Sequence, residues 1–286
     1  MLSFTFNRIG VAALCLGLAP LSSAALWSDT SLAVSYGQDF SEPFKNDVNG
    51  QAVDIEKYIF SFVHLSGYKY GTNFFQVNLH QSSNEPNAAK ASGRGAQEAY
   101  AIYRHTLDIP SVLDKPLESS WLKSYGFTAG FDWNTKNDDY GSNRQMYVAG
   151  PSFTLNTPGY LNLSILGYYE SNDANVLGKK YSYDPYLALQ LNWDFPVVNT
   201  DWQYQGIGVW MSTKGKNEFG GDTASEIFLD MSLMYPLLKD AASQKPTLKA
   251  GIAYQYWKNK YGNDASGSAG DGATASSPML RVAYHF

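Results

Sequence analysis

The sequence has little cysteine and little charge. The single cysteine, Cys15, lies in an N-terminal apolar segment, so the rest of the chain has no thiol for a disulfide or a cysteine metal site. Charged residues make up 16% of the 286 residues, against roughly 25% in a typical soluble protein. The net charge of -5 argues against a nucleic-acid partner. After the N-terminal segment, no apolar run reaches the roughly 20 residues that a membrane-spanning helix needs.

Residues 1–24 have the pattern of a cleaved signal peptide. Arg8 precedes an apolar run from Ile9 to Leu21, which small residues follow up to Ala24. The run is too short for a membrane anchor and is broken by Gly17 and Pro20. We therefore expect an exported chain whose mature part, residues 25–286, forms one domain.

The mature part alternates in period two, as a β-strand does when its two faces meet different environments. In Tyr186–Trp193, Leu187, Leu189 and Leu191 point one way and polar or small residues the other. About twelve such segments follow one another. The connections alternate between tight turns and long polar loops, the latter at 38–55, 83–95, 135–144, 172–183, 213–224 and 259–276.

This layout predicts an all-β fold, a transmembrane antiparallel up-and-down β-barrel of about 12 strands in a Gram-negative outer membrane. A soluble periplasmic β-protein is the alternative. The faces of 145–155 and 202–212 are mixed, so the pattern does not assign their inward sides. We expect aromatic residues at the two membrane interfaces, with candidates Tyr125, Trp133, Trp193, Tyr235, Tyr256 and Phe286.

The last strand ends on Phe286, with Leu280, Val282 and Tyr284 on the same side. This is the pattern by which barrel-assembly machinery recognises its substrates, so that machinery is an expected partner, together with outer-membrane lipid.

Several stretches resemble a known family. They are Trp27-Ser-Asp-Thr-Ser, Ser66-Gly-Tyr-Lys-Tyr-Gly-Thr-Asn-Phe-Phe75, Tyr103-Arg-His-Thr-Leu-Asp108, Ala129-Gly-Phe-Asp-Trp-Asn134, Val148-Ala-Gly-Pro151 and Gln255-Tyr-Trp-Lys-Asn-Lys-Tyr-Gly262. On these residues the chain resembles the nucleoside-specific channel-forming (Tsx-like) outer-membrane family, more narrowly its outer envelope protein group. Arg104 and Asp108 match the nucleoside channels themselves. The resemblance implies a monomeric twelve-stranded barrel with a narrow lumen that passes nucleosides.

If the polar side of each strand faces inward, a set of residues lines the lumen and is available to a solute. The candidates are Phe74, Gln76, Asn78, Glu98, Tyr100, Arg104, Asp132, Tyr168, Tyr186, Gln190, Asn192, Glu226, Phe228, Asp230, Lys249, Trp257 and Arg281. Aromatic faces would stack a base, at about 1–3 kcal/mol each, while carboxylates and amides would bond to the sugar. Opposite charges inside a small barrel also pair merely to avoid unpaired burial. Because the candidate acids outnumber the bases, we expect neutral or cationic solutes rather than anions.

Two other functions fit parts of the sequence. His80-Gln-Ser82 matches a tripeptide of outer-membrane phospholipases, in which His is the base and Ser the nucleophile, but no third catalytic member is identifiable. The second of these functions is a barrel with a plugged lumen that acts as a surface or phage receptor through its long loops. His64, His105 and His285 lack metal-ligand spacing, so we expect no metal, no cofactor and no catalytic residue.

Overall fold

The computed structural model describes residues 25–89, 93–243 and 245–286; the predicted signal peptide, 1–24, lies outside them. Twelve long strands and one two-residue strand account for most of the described chain. They are β1 (Trp27–Phe40), β2 (Ile55–Tyr68), β3 (Gly71–Ser82), β4 (Gln97–Asp108), β5 (Leu122–Lys136), β6 (Asn143–Leu155), β7 (Tyr160–Asn172), β8 (Tyr181–Ser182), β9 (Tyr186–Pro196), β10 (Gln203–Met211), β11 (Glu226–Lys239), β12 (Pro246–Lys258) and β13 (Ala275–His285).

The long strands form one closed antiparallel barrel. Each pairs with its neighbours in sequence, and β9 follows β7 in the wall because the short β8 pairs only with the end of β7. The last strand returns to the first, with Ser35 opposite Arg281 and Val34 opposite Val282. Closure leaves no long strand with an unpaired edge. The prediction of an all-β barrel of about twelve strands is therefore confirmed.

The two ends of the barrel differ in their connections. At one end, the turn end, the connections are 69–70, 109–121, 156–159, 197–202 and 240–245. At the other, the loop end, they are L1 (41–54), L2 (83–96), L3 (137–142), L4 (173–185), L5 (212–225) and L6 (259–274). The longest turn-end connection opens with one helical turn, Ile109–Val112. The Asp108 carboxylate caps this turn by accepting a hydrogen bond from the Ser111 N–H. Among the described residues, no helix has the length and apolar character to cross a membrane.

The wall has one apolar face and one polar face. On β9, Leu187, Leu189 and Leu191 expose 44%, 39% and 37% of their surface outward, while Tyr186 and Ala188 are buried inside. In the registers of β1 to β6, inward residues pair with inward residues and outward residues with outward residues, so the same alternation continues from strand to strand. The predicted interface aromatics Tyr125, Trp133, Trp193, Tyr235, Tyr256 and Phe286 all lie at outward positions.

Strand pairing also assigns the inward faces of β6 and β10, the two strands for which the sequence pattern did not distinguish the faces. On β6, Arg144 and Met146 face inward, opposite Asn134 and Asp132 of β5, while Tyr147 is 54% exposed outside. On β10, inward Val209 and Met211 pair with inward positions of β9, and Trp210 faces outward. Both strands place apolar residues on each face, which explains why their alternation carried little information.

Candidate functional site: the barrel lumen

At the loop end, charged side chains from the wall and the loops fill the mouth of the lumen. Glu42, in L1, is the centre of one half: its Oε1 lies 2.7 Å from Lys57 Nζ and 3.0 Å from Lys260 Nζ, and its Oε2 lies 3.1 Å from Lys136 Nζ. Lys136 also contacts Asp138 at 3.1 Å. Because Lys57 belongs to β2 and Lys136 to β5, a carboxylate bonded to both must lie inside the barrel rather than on its rim.

Glu170 of β7 is the centre of the other half. It lies 2.9 Å from Lys214 Nζ and 3.5 Å from Arg144 Nη1, and it accepts a 2.9 Å hydrogen bond from the Tyr186 hydroxyl. Lys214 also lies 3.5 Å from Glu226. These groups are 9% exposed or less, so the loop end is filled by paired charges. We call the two halves together the mouth network.

L6 crosses the mouth. The Tyr261 ring lies 4.3 Å from the Arg144 guanidinium carbon, and its backbone N–H donates to Glu226 Oε2 at 2.9 Å. Lys260, beside it, donates to the Ser41 carbonyl at 3.0 Å. Arg144 is on β6 and L6 starts from β12, on the far side of the closed sheet. The loop therefore spans the opening from one wall to the other.

Burial and charge act in opposite directions on the groups of L1 and L6. Burial by itself would raise the pKa of Glu42, but Lys136, Lys260 and Lys57 outweigh it and hold that pKa well below its usual range. For Lys260, burial lowers the pKa to about 8, although Glu42 raises it in part. The Glu42 carboxylate is thus ionised at pH 7, and Lys260 is close to its titration range.

The six loops are joined in a ring around the mouth. Neighbouring loops share one ion pair and a series of backbone hydrogen bonds: Lys45–Glu85, Ala89 to Asn137, Asn175 to Gly141, Asp184 to Lys214, Ala224 to Gly262, and Phe44 to Ala269. Loops tied in this way keep the mouth network in place.

Midway along the lumen, four predicted candidates meet on one wall. Arg104 forms a salt bridge with Asp132, with a second contact of 3.0 Å from Nη2, and also donates to the Tyr168 hydroxyl at 3.0 Å. The Tyr100 hydroxyl donates to Asp132 at 3.2 Å. Opposite Arg104 in the register stands Gly130, which leaves room for the guanidinium to lie over β5 and donate to the Phe131 carbonyl.

Tyr168 stacks on Tyr186 with ring centroids 5.2 Å apart. Both rings are buried in an apolar cluster with Met146, Val148 and Leu166. Their faces are covered by the wall itself.

The remaining candidates lie on other parts of the wall. Arg281 contacts Asp230 at 3.0 Å, and Gln255 also donates to that carboxylate at 3.4 Å. Trp257 donates to Glu226 at 3.0 Å and packs edge-on against Phe228. The others, in the registers of β3, β4, β9 and β12, are Phe74, Gln76, Asn78, Glu98, Gln190, Asn192 and Lys249.

Towards the turn end, the lumen wall is lined by small polar side chains. Thr106, Thr128, Ser152 and Ser164 form a chain of hydroxyl hydrogen bonds of 2.6–2.7 Å across four strands, which continues to Asn162. Gln190 donates to Asn192 at 3.4 Å, and midway along β3 Gln76 donates to Asn78 at 2.9 Å. These four side chains face inward and are partly exposed, so the lumen beside them is accessible, whereas the hydroxyl chain is buried from Thr128 to Ser164.

Sequence reasoning missed the bases of the mouth. Lys57, Lys136 and Arg144 have inward parity on their strands and could have been found from it, whereas Lys214 and Lys260 are on loops whose path no periodicity reveals. These five bases, set beside Glu42 and Asp138, bring the inward acids and bases close to balance, so the excess of acid seen among the candidates is not present at the mouth. The preference for neutral or cationic solutes stays a prediction.

The structure places His80 and Ser82 on the inward face of β3, where His80 is opposite Glu98 and Ser82 opposite Lys57. Ser82 is 4% exposed. A phospholipid outside the wall does not reach these side chains, so the arrangement gives no support to lipid hydrolysis. Among the described residues, no group of His, Cys, Asp and Glu has the geometry of a metal site.

No protein family matches the sequence, and no curated protein matches it either. Several solved structures are similar in shape. They include a KdgM porin (11% identity, 90% of this chain and 99% of that chain, TM-score 0.42) and a BenF-like porin from Pseudomonas fluorescens Pf-5 (9%, 91% and 98%, 0.42). The translocator domain of the autotransporter NalP from Neisseria meningitidis is a third (11%, 96% and 93%, 0.41). The chain is thus similar in overall shape to two porins and one autotransporter translocator.

Proposed function

We propose that this chain is a monomeric outer-membrane channel for the passive, selective diffusion of small solutes, with nucleosides or similar planar solutes as its substrates. The observation that carries the proposal is a set of polar side chains that face the lumen and remain partly exposed there. A barrel with a purely structural interior would pack these positions with buried side chains. Gln76, Asn78, Gln190 and Asn192 instead face an enclosed space and remain partly accessible.

The outer surface supports placement in a membrane. Ile252, Leu280, Leu79, Phe60 and Val34 expose between 42% and 64% of their surface, although soluble proteins rarely present so continuous an apolar belt. Between the aromatic positions near each end, outward positions of the described strands carry no Asp, Glu, Lys or Arg. A closed sheet satisfies its backbone internally, as hydrocarbon requires.

The accessible part of the lumen at β3 also suits a nucleoside chemically. Phe74 is half-buried and shares the inward face of β3 with Gln76 and Asn78, so an aromatic face and two amides are neighbours. The amides would bond to ribose hydroxyls while the ring stacks on the base. Single weak contacts in series allow a solute to enter and also to leave.

Uptake into proteoliposomes tests the proposal. We expect labelled uridine or adenosine to equilibrate faster than a sucrose control in vesicles that contain the protein, and no difference in empty vesicles. Equal exclusion of nucleosides and sucrose by the folded barrel would contradict a nucleoside channel.

The mouth network favours a second candidate, the plugged barrel that acts as a surface receptor. Paired charges that span the opening would stop solutes if the loops never moved. Planar-bilayer recordings separate the two functions, because a permanently plugged barrel shows no conductance steps. Hydrolysis of phospholipid by the purified protein, lost on Ser82→Ala, would instead establish the enzyme.

Assembly into the membrane is proposed to depend on the terminal aromatic residue. Phe286 is 72% exposed and packs edge-on against Tyr284, so both rings are available on the outer surface at the turn end. Barrel-assembly machinery is the partner proposed to bind there.

A further inference from the structure

The Glu42 carboxylate occupies a cage of three ammonium groups. Lys57 and Lys136 come from the barrel wall and Lys260 from L6, all within 3.1 Å of one or other carboxylate oxygen. The side chains of these four residues are 7% exposed or less. Lys57 and Lys136 are held by strands, whereas Glu42 is held by L1 and Lys260 by L6. A movement of L1 alone therefore removes the acid and leaves the three ammonium groups.

Aromatic rings flank the same cage. The Phe40 ring lies 5.4 Å from Lys57 Nζ, and the Trp257 and Tyr261 rings lie 5.0 and 5.2 Å from Lys260 Nζ. A group that combines a flat ring with a carboxylate would contact both the ammonium groups and the rings. Glu42 supplies only the carboxylate.

Charge balance requires an anion at this position. With Glu42 withdrawn, Asp138 and Glu98 are the acids nearest to the three lysines, since Asp138 contacts Lys136 and Glu98 is its register partner. One ammonium group is then unpaired, and an unpaired buried charge is strongly unfavourable. An outside carboxylate would restore the balance.

We infer that the cage of Lys57, Lys136 and Lys260 is a binding site for small planar carboxylates, and that Glu42 is its built-in occupant. A solute carboxylate exchanges with Glu42, and the exchange releases L1 from the mouth. The release rests on the proposed channel function, but binding to the cage does not, so the two can fail separately.

Binding is tested on the full chain folded in detergent, with nicotinate and nicotinamide as probes. The two have the same shape and differ in the carboxylate. We expect Glu42→Gln to bind nicotinate about tenfold or more tightly than wild type, since hydrogen bonds to charged groups contribute at this level. Nicotinamide should show no such gain. The matched control is Glu56→Gln, which removes one acid from an exposed, outward position at the loop end of β2, next to Lys57 in sequence but outside the cage.

Isothermal titration calorimetry gives the affinities. A folded barrel changes its gel mobility when the sample is heated, so that change shows whether each variant is folded. If Glu42→Gln does not fold, Glu42→Asp keeps the charge balance but has a side chain one methylene shorter. It should hold the three lysines less well than Glu42 does, and so bind nicotinate more tightly than wild type. A folded variant of either kind that binds nicotinate no better than Glu56→Gln overturns the site.

A bilayer recording separates the site from the channel. In a salt gradient, Glu42→Gln should shift the reversal potential towards anion selectivity, whereas Glu56→Gln should leave it at the wild-type value. Nicotinate binding without any conductance would retain the site and reject the channel. Suppose instead that the barrel conducts, that Glu42→Gln has the wild-type reversal potential, and that nicotinate does not bind. That result would retain the channel and reject the site.

Discussion

Arg144 and Tyr261 meet across the loop end of the barrel, with the guanidinium carbon 4.3 Å from the centre of the phenol ring. Arg144 belongs to the wall and Tyr261 to a loop that starts on the other side of the sheet. A contact of this kind closes an opening without any covalent link. Its strength depends on one ring and one cation, so single substitutions should change how far the mouth opens.

Replacing Tyr261 by alanine removes the ring that spans the mouth. We expect single-channel conductance to rise, because the ring no longer occupies the opening, while Arg144 keeps its salt bridge to Glu170 on the wall. The control is Tyr147→Ala, which deletes the same side chain from the outward face of β6 and should conduct as wild type does. A conductance of Tyr261→Ala equal to that of the control would show that the ring does not limit passage.

Asp132→Asn should destabilise the barrel. The carboxylate is 4% exposed at the side chain and is the salt-bridge partner of Arg104, which is 8% exposed. Breaking a buried pair on one side costs about 3–5 kcal/mol, because the other charge is left uncompensated. Urea unfolding in detergent or vesicles measures the loss.

The double variant Arg104→Met/Asp132→Leu removes both charges and should be less destabilised than Asp132→Asn. Equal losses in the single and double variants would mean that shape, not charge, sets the stability of this wall.

Phe74 and Phe75 are adjacent residues on opposite faces of β3. Phe74 faces the lumen, opposite Arg104 in the register, and Phe75 faces outward near Phe62. If Phe74 stacks on the base, Phe74→Ala should raise the half-saturating uridine concentration by roughly five- to 150-fold, the equivalent of about 1–3 kcal/mol. Phe75→Ala should leave it unchanged. Uptake kinetics that respond equally to both would argue against stacking in the lumen.

Conductance should depend on pH through Lys260. Its pKa of about 8 reflects burial, which Glu42 offsets in part and Lys57 and Lys136 reinforce. The ammonium is present at pH 7, so the bonds to Glu42 and to the Ser41 carbonyl are charge-assisted there and weaken as the pH rises through 8. We expect conductance to increase over that interval. Lys260→Met should not show the step, and an unchanged step in that variant would assign it to another group.

The sequence could predict the barrel wall because hydrocarbon imposes a strict pattern on one face. Leu187, Leu189 and Leu191 had to be apolar, so the inward side of β9 followed directly. The rule fails on β6, because Met146 and Val148 pack inside the lumen against Leu166. An inward position need not be polar where its side chain packs against other inward side chains, as Met146 and Val148 do in this buried apolar cluster.

The mouth network could not be predicted in the same way. Strand parity would have placed Lys57 inside, but Lys260 and Tyr261 reach the lumen only because L6 turns back over the opening, with Tyr261 and Gly262 at positive φ. Such a path depends on which loops neighbour each other after closure. Periodicity contains no information about it.

The ring of contacts among L1 to L6 has a consequence for anything that approaches from outside. We expect a phage protein or an antibody to meet these loops as one connected surface rather than as six independent segments. At the apex of L1 a side chain at Gly50 would meet no other atom within 4 Å, whereas one at Gly262 would meet Lys214. We therefore expect an epitope tag to be tolerated at Gly50, whereas the same insertion at Gly262 should break the contacts between neighbouring loops.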